Sequence, residues 1–403
     1  MANFFSNIFK KKETSVLGID IGTSAIKIVQ LKHKGGRAIL ETYGALALGP
    51  YAKVEIGRAT NLPVETVIAA LADILREAKT TTKRGGVAIP FSASLMSIIE
   101  MPLVPDKQLA QMIPIEARKY IPVPISEVSL DWSVIPRDQF KSADGSGGVP
   151  GEGRGEISSE NTGGGIGQEQ GVVGGGIMGG PKIERNIVPK TDVLLVAIHN
   201  DTIREYQDIV KKTGLDANFF EIEIFSTIRS VLDQNNEPVM ILDMGAASTK
   251  LYIVERGAVR NSHTINHGSQ DVTTILATSL SVPVEKAEIL KRTIGWSKDL
   301  ANKDIAEAIS LSLDNVFSEA RRVALNYQAK YKKSIEKAVL VGGGAAMRGF
   351  AELAQKSLEM PVVLGDPFSK VEAPAFLADI LKRNGPEFAV ALGIAIRRLQ
   401  DGV

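Results

Sequence analysis

Polar and apolar positions along the chain repeat one arrangement twice. Residues 16–29 read VLGIDIGTSAIKIV: an apolar run, an acid, a glycine, two hydroxyls and a lysine, then a second apolar run. That order predicts strand, tight turn and returning strand, with polar groups gathered at the turn. Residues 239–252, VMILDMGAASTKLY, align with it without a gap. Val16 matches Val239, Asp20 matches Asp243, Gly22 matches Gly245 and Lys27 matches Lys250. Two such hairpins in register point to a duplicated domain whose paired turns face one ligand. Residues 38–48 and 257–266 read as a third strand for each hairpin, and Gly268 ends the second.

Helical periodicity follows each meander. Within 63–79, Val64, Val67, Ile68, Leu71, Ile74 and Leu75 recur three and four apart, with Pro63 suited to the first turn. Residues 86–90 (GVAIP) form a short buried strand. Residues 200–213 place Ile203, Tyr206, Ile209 and Val210 on one helical face, and Gly214 is a natural C′ residue. A strand over 218–223 leads into a helix through 232. Residues 269–334 read as mostly helical, and the stripe of Leu313, Val316, Phe317, Ala320 and Val323 is core packing. KAVLVGGGA at 337–345 is a buried strand running into three glycines, then a helix with Phe350, Leu353 and Leu358. A last helix covers 386–399.

The stretch from 91 to 134 breaks the pattern with five prolines, the last at Pro124. It holds a helix over 106–120, with Asp106 as N-cap and Pro114 as a kink. Residues 128–134 (VSLDWSV) alternate as a half-exposed strand does, and 192–199 is the expected partner. This reads as a small inserted subdomain. Between the two strands, residues 141–190 gather much of the chain's glycine and no aromatic residue. Such a segment buries too little to offset its ordering entropy, so a disordered Gly-rich loop is expected. Its GG and GGG runs lack the strand–helix setting of a phosphate loop.

Composition narrows the reading. At 403 residues with 44% hydrophobic content, two or more lobes with sizeable cores are expected. A formal charge of +1 argues against a broad nucleic-acid footprint. The absence of cysteine excludes disulfides, thiolate zinc sites and cysteine nucleophiles, and fits a reducing compartment. No apolar stretch approaches the roughly 20 residues that cross a bilayer. In residues 1–12 the lysines follow the apolar segment, the reverse of a signal peptide. They read as a short frayed leader, with a weak interfacial anchor through Phe4, Phe5, Ile8 and Phe9 as the second reading.

The candidate chemistry lies at the turns. Backbone N–H groups helped by Gly22 can hold phosphate oxygens. Asp20 sits where a hydrated divalent cation could bridge to them. The glycines at 342–344 let backbone approach a flat or charged ligand, although an ordinary tight βα turn has the same sequence. Two acid–glycine hairpins plus strand–GGG–helix make a nucleotide cleft between two lobes.

The order DIGTSAIK, DMGAAST, VGGGA resembles the phosphate-1, phosphate-2 and adenosine motifs of the actin-like ATPase superfamily. The similarity is closest to its PilM family of type IV pilus assembly, through VLGIDIGTSAIKIVQL, IEARKYIPVPISEVSLDW, HNDTIREYQDIVKKTGL and the late GDPF at 365–368. It covers nearly the whole chain except 141–190. The resemblance implies an α/β, duplicated actin-like fold of two lobes with RNase H-like cores and an inserted 1C-type subdomain. The division is leader 1–14, lobe 1 at 15–90 and 200–236, and insert 91–199. Lobe 2 takes 237–268 and 335–403, with a helical subdomain at 269–334.

Carried over residue by residue, it implies ATP with Mg²⁺. Asp20 and Asp243 resemble the acids that position metal, through water, and the attacking water. Gly22, Thr23, Ser24 and Lys27 match phosphate 1; Gly245, Ala246, Ser248 and Thr249 match phosphate 2. Glu288 and Lys291 resemble the pair that contacts ribose and adenine, although a solvated helix face has the same spacing. Gly343, Gly344 and Ala345 match the adenosine loop. No residue for orienting in-line water is identified in lobe 1, so ATP binding with at most slow turnover is expected. The family further implies a cytoplasmic scaffold that binds the N-terminal tail of the inner-membrane protein PilN. The groove would lie between lobe 1 and the insert, within 91–132. Other members of the inner-membrane subcomplex and the pilus motor ATPases are further expected partners, and membrane contact is indirect. An FtsA-like division filament protein and a small-molecule kinase of the same superfamily stay open as alternatives. The division family ends in an amphipathic membrane helix, whereas residues 397–403 are RRLQDGV.

Overall fold

A computed structural model describes residues 14–135, 189–233 and 236–401. Residues 1–13 of the leader and nearly all of the Gly-rich stretch therefore lie outside the described residues.

The first unit opens as an antiparallel meander of β1 (Thr14–Ile21), β2 (Ala25–Lys34) and β3 (Arg37–Ala47). The short α1 (Gly49–Ala52) and α2 (Val64–Glu77) lead to β4 (Arg84–Ile89), which lies parallel to β1. The insert comprises β5 (Ser94–Pro102), α3 (Asp106–Ala117), β6 (Val128–Val134) and β7 (Lys190–His199). The chain then returns through α4 (Asn200–Lys212), β8 (Asp216–Ile222) and α5 (Glu223–Val231).

The second unit repeats the scheme. It runs β9 (Val239–Met244), β10 (Thr249–Glu255), β11 (Ala258–Ile265), then the helices α6 (Ser269–Ser279), α7 (Val284–Thr293) and α8 (Lys303–Tyr331). β12 (Lys337–Val341), α9 (Phe350–Leu358), β13 (Val362–Leu364), α10 (Ala378–Asn384) and α11 (Ala389–Asp401) complete the described chain. The two sheets have the orders β3-β2-β1-β4-β8 and β11-β10-β9-β12-β13. Strand for strand they are the same topology, so the repeated hairpin is the visible part of a whole duplicated sheet.

Each sheet buries one face under its own helices. Leu17, Ile19, Ile26 and Ile28 meet α2 and α4 through Leu71, Ile74, Tyr206 and Ile209. Met240, Leu242 and Leu251 meet α8 and α9 through Phe317, Tyr327 and Phe350. The stripe expected on α8 is thus core packing. The other faces look toward α5 and α11. α11, at the end of the chain, packs on the first sheet. Val16, Val29 and Leu31 meet Ala391, Leu392 and Ala395. The reason is a seam of small residues: a Cβ on Gly18 would stand 1.8 Å from the Ala391 carbonyl oxygen. Conversely Ile224 of α5 packs on Ile241, Tyr252 and Val339 of the second sheet. Arg229 of α5 ties the crossing, donating to Glu221 at 2.6 and 2.7 Å and to the Gly393 carbonyl at 3.1 Å.

The insert is a three-stranded antiparallel sheet, β5-β7-β6, with the expected pairing of β6 and β7. Alternate residues of β7 face opposite ways. Val193, Leu195 and Ala197 pack with Leu109 and Ile113 of α3. Leu194 and Val196 pack against Tyr252, Val254 and Val259 of the second unit. The insert is therefore joined by chain to the first unit and by packing to the second.

Two local expectations change. Asp106 is the first helical residue rather than the N-cap, which is Pro105, and makes no capping bond. The glycines after β12 form a 3-10 turn, Gly343–Ala346, and α9 begins only at Phe350, so no α-helix N-terminus stands behind them.

Candidate functional site

A cavity of about 630 Å³ opens between the two units, and both repeated turns line it. The turns are built alike. Gly22 N donates to Ala25 O at 3.1 Å and Gly245 N to Ser248 O at 3.0 Å. In the strand register Asp20 lies opposite Lys27, and Asp243 opposite Lys250. The side chains then diverge. Lys27 Nζ donates to Asp20 at 3.2 Å, whereas Lys250 Nζ donates to Glu223 at 3.1 Å.

Asp20 and Asp243 are both buried. Burial pushes the Asp243 carboxyl up to about 6, against the pull of Lys250. Burial works against charge on Lys27 and on Lys250. Asp20 outweighs it for Lys27, and Glu223 with Asp243 outweighs it for Lys250, so both ammonium groups stay above their ordinary range. Burial also raises Glu387, which faces Lys27. The cavity lining thus gathers the acids Asp20, Asp243, Glu223 and Glu387 with Lys27 and Lys250, where burial weakens the screening of their charges.

The glycine turn forms another wall. Gly342 has φ +86°, and a Cβ there would stand 2.4 Å from Asp243 Oδ1. Only glycine lets β12 end against that carboxylate without strain. Gly343 and Gly344 line the cavity beside it. On the opposite side Glu288 and Lys291 of α7 pair at 2.6 Å. Lys291 Nζ also donates to Ser269 O at 3.0 Å and Thr273 Oγ1 at 2.9 Å. Burial opposes the Glu288 charge, but Lys291 and its other donors hold the carboxyl below its usual range; burial lowers Lys291. Both face the cavity and both are buried, so they are no solvated helix face. A loop of the first unit reaches them: Ala59 N donates to Gln270 Oε1 of α6 at 3.1 Å, and Gly57 sits against the Glu288 carboxylate.

Most of the residues expected at the site meet here: Asp20, Gly22, Thr23, Ser24, Lys27, Asp243, Gly245, Ala246, Ser248, Glu288, Lys291, Gly343 and Gly344 all line the cavity. Two do not. Thr249 is buried and donates its hydroxyl to His267 O at 2.8 Å. Its neighbour on β10, Lys250, lines the cavity, so Thr249 faces the other way. Ala345 is buried in the core of the second unit, and Ala346 and Met347 take its place on the lining. Sequence reasoning missed Glu223, Tyr206, Arg292 and Glu387. Arg292 follows Lys291 directly and donates to Glu288 at 2.6 Å, so the α7 motif could have found it. Lys250 was legible in the register with Lys27. Glu223 carried no local signal.

Among the described residues no group of three or more His, Cys, Asp or Glu is placed to hold a metal ion. Nor is any described helix long and apolar enough to cross a membrane.

A family model for the type IV pilus assembly protein PilM matches residues 18–145 and 182–399. Cell division protein FtsA of Neisseria meningitidis serogroup B is 24% identical over 231 residues, 51% of this chain and 53% of the relative. FtsA of Pseudomonas aeruginosa is 26% identical over 216 residues, 47% and 50% of the two chains. The chain spans about half the length of these curated relatives. Among solved structures, a PilM–PilN type IV pilus biogenesis complex superposes with a TM-score of 0.70 at 23% identity, covering 95% of this chain and 98% of that one. MreB 5 of Spiroplasma citri bound to AMPPNP gives 0.50 at 11%, covering 96% and 99%. These likenesses establish the duplicated actin-like fold.

Proposed function

The chain belongs to the family of the type IV pilus assembly protein PilM, and on that premise we propose that it is an ATP-binding scaffold of pilus assembly. It holds Mg·ATP between its two units and binds the N-terminal cytoplasmic tail of a PilN-type inner-membrane protein. The observation that carries the reading is the pair of acid–glycine–lysine hairpins, matched in register, that face one cavity from two units.

Residue roles follow from the lining. The turn amides at 23–24 and 246–248 take the β- and γ-phosphates, with Lys27 and Lys250 as counter-charges. Asp20 and Asp243 hold Mg²⁺ through its water shell. Two carboxylates without a third ligand suit an ion that keeps several waters. Glu288 and Lys291 reach the ribose, while Gly343 and Gly344 lie along the nucleoside. Arg292 covers the cavity mouth beside them.

At most slow turnover is part of this reading: in-line attack needs a residue that orients water, and the buried acid of the first unit nearest that task, Glu223, already accepts from Phe91 N at 2.7 Å.

The peptide groove lies within 91–132, where Leu103, Ile115 and Tyr120 leave apolar surface exposed. An extended tail would fill apolar pockets there and add backbone hydrogen bonds. Through it a chain of the cytoplasm is held at the inner membrane. Isothermal titration with a synthetic PilN N-terminal peptide, with and without ATP, tests the partner. Saturable binding is expected, and no heat in either state removes the scaffold role.

A further inference from the structure

We infer that Glu223 is a positioning residue that transmits nucleotide occupancy to the inserted subdomain, and so sets the affinity of the peptide surface the insert carries. The inference rests on the nucleotide and peptide readings above and adds the link between them.

Glu223 stands where β8 gives way to α5, and only 6% of it is exposed. Its two oxygens serve two different bodies. Oε1 accepts from the amide of Phe91, the residue that follows Pro90 where β4 ends and the insert begins. Oε2 accepts from Lys250 of the second unit's hairpin. One carboxylate thus joins the start of the insert to the turn proposed to hold phosphate. The far end of the insert touches the same cavity. β7 runs directly into α4, whose Tyr206 lines the cavity, and burial together with Asp20 and Glu223 holds its phenol above its ordinary range. Pro90 and Ser92 line the cavity as well. Both chain connections of the insert therefore border the ligand space.

The chemistry of exchange follows. A triphosphate near Lys250 competes with Glu223 for its ammonium. Glu223 is then left buried with the Phe91 amide as its remaining partner, and an unpaired buried carboxylate is strongly disfavoured. It must shift, and Phe91 shifts with it. The insert cannot absorb this locally, because Leu194 and Val196 pack on Tyr252 and Val254, and Asp192 stands 3.7 Å from Arg260. It moves as a unit between the two bodies that hold it. Any such coupling is reciprocal: nucleotide changes peptide affinity by the factor by which peptide changes nucleotide affinity.

Hydrogen exchange and titration on the full chain test this. In wild type, saturating Mg·AMP-PNP changes amide exchange over 91–102 and shifts the affinity for the PilN N-terminal peptide by at least about fivefold. In Glu223→Gln the amide oxygen still accepts from Phe91 but cannot pair with Lys250. There the ratio of peptide affinities with and without AMP-PNP falls below about twofold, and the exchange response over 91–102 disappears. The ratio is read at saturation, so a changed nucleotide affinity in the variant does not enter it. A purely structural role would alter both peptide affinities together and leave the ratio alone. The inference is overturned if wild-type exchange over 91–102 ignores AMP-PNP, or if Glu223→Gln keeps the wild-type ratio. If exchange responds as expected while the peptide binds in neither state, the relay stands and the partner reading falls.

Discussion

Asp243→Asn is expected to make the ligand-free protein more stable while destroying its site. The carboxyl is buried, and its pKa is pushed from 3.8 to about 6. That gap corresponds to about 3 kcal/mol by which the folded state disfavours the ionised form. The direction follows from linkage. A buried acid with a raised pKa costs nothing below about pH 3.8, costs progressively more up to about pH 6, and costs the full amount above. Asparagine has nearly the same shape and no charge, so it removes the cost at every pH. Relative to wild type the gain is about 3 kcal/mol at pH 7.5, falls to roughly half of that at pH 5, and vanishes near pH 3. Lys250 keeps Glu223 as a partner, so no ammonium is orphaned. These are upper bounds, since the new amide must also find donors and acceptors. Chemical denaturation of both proteins without nucleotide, at pH 7.5 and pH 5, measures the difference. A destabilised variant at pH 7.5, or a gain that does not shrink on acidification, would refute the claim that burial strains this carboxylate. Such strain is expected of a group held ready for a cation.

Three further outcomes follow from the cleft. Gly342→Ala forces a Cβ to within 2.4 Å of Asp243 Oδ1 at φ +86°; titration is expected to show at least a tenfold loss of Mg·ATP affinity, and denaturation a cost of about 1–3 kcal/mol. Gln270→Ala deletes the hydrogen bond that fastens the 54–61 loop across the cavity mouth; stopped-flow release of a fluorescent ATP analogue should quicken about fivefold, as loss of one hydrogen bond allows, and an unchanged rate would show that the loop does not hold the mouth. Arg229→Ala removes two of the hydrogen bonds to Glu221, leaving that from the Ser226 hydroxyl, and the side-chain bond to Gly393 O; the expected cost is about 3 kcal/mol of stability, checked by denaturation.

Much of this could be read from the chain because its signals were local and repeated. The hairpin motif fixes the registers of β1 with β2 and of β9 with β10, hence which acid opposes which lysine. What could not be read depends on distant partners. Glu223 meets residues 132 and 27 positions away, and its own flanking sequence is an ordinary strand-to-helix passage. The placement of α11 on the first sheet rests on Gly18 and Ala391 meeting across most of the chain. Thr249 and Ala345 show a different limit. A motif gives neighbourhood, but which of two adjacent residues faces a cavity is set by strand alternation and by the turn that carries them.

The central claim is that paired hairpins hold a magnesium nucleotide between two units. Titration of ATP into wild type and Asp20→Ala, each with Mg²⁺ and with EDTA, tests it most directly. Wild type is expected to bind one ATP per chain, at least about tenfold more tightly with Mg²⁺. Asp20→Ala should lose that gain and bind alike in both buffers, since Lys27 remains for the phosphates. Equal Mg·ATP affinity in the two proteins, or no ATP binding by wild type, would contradict the account.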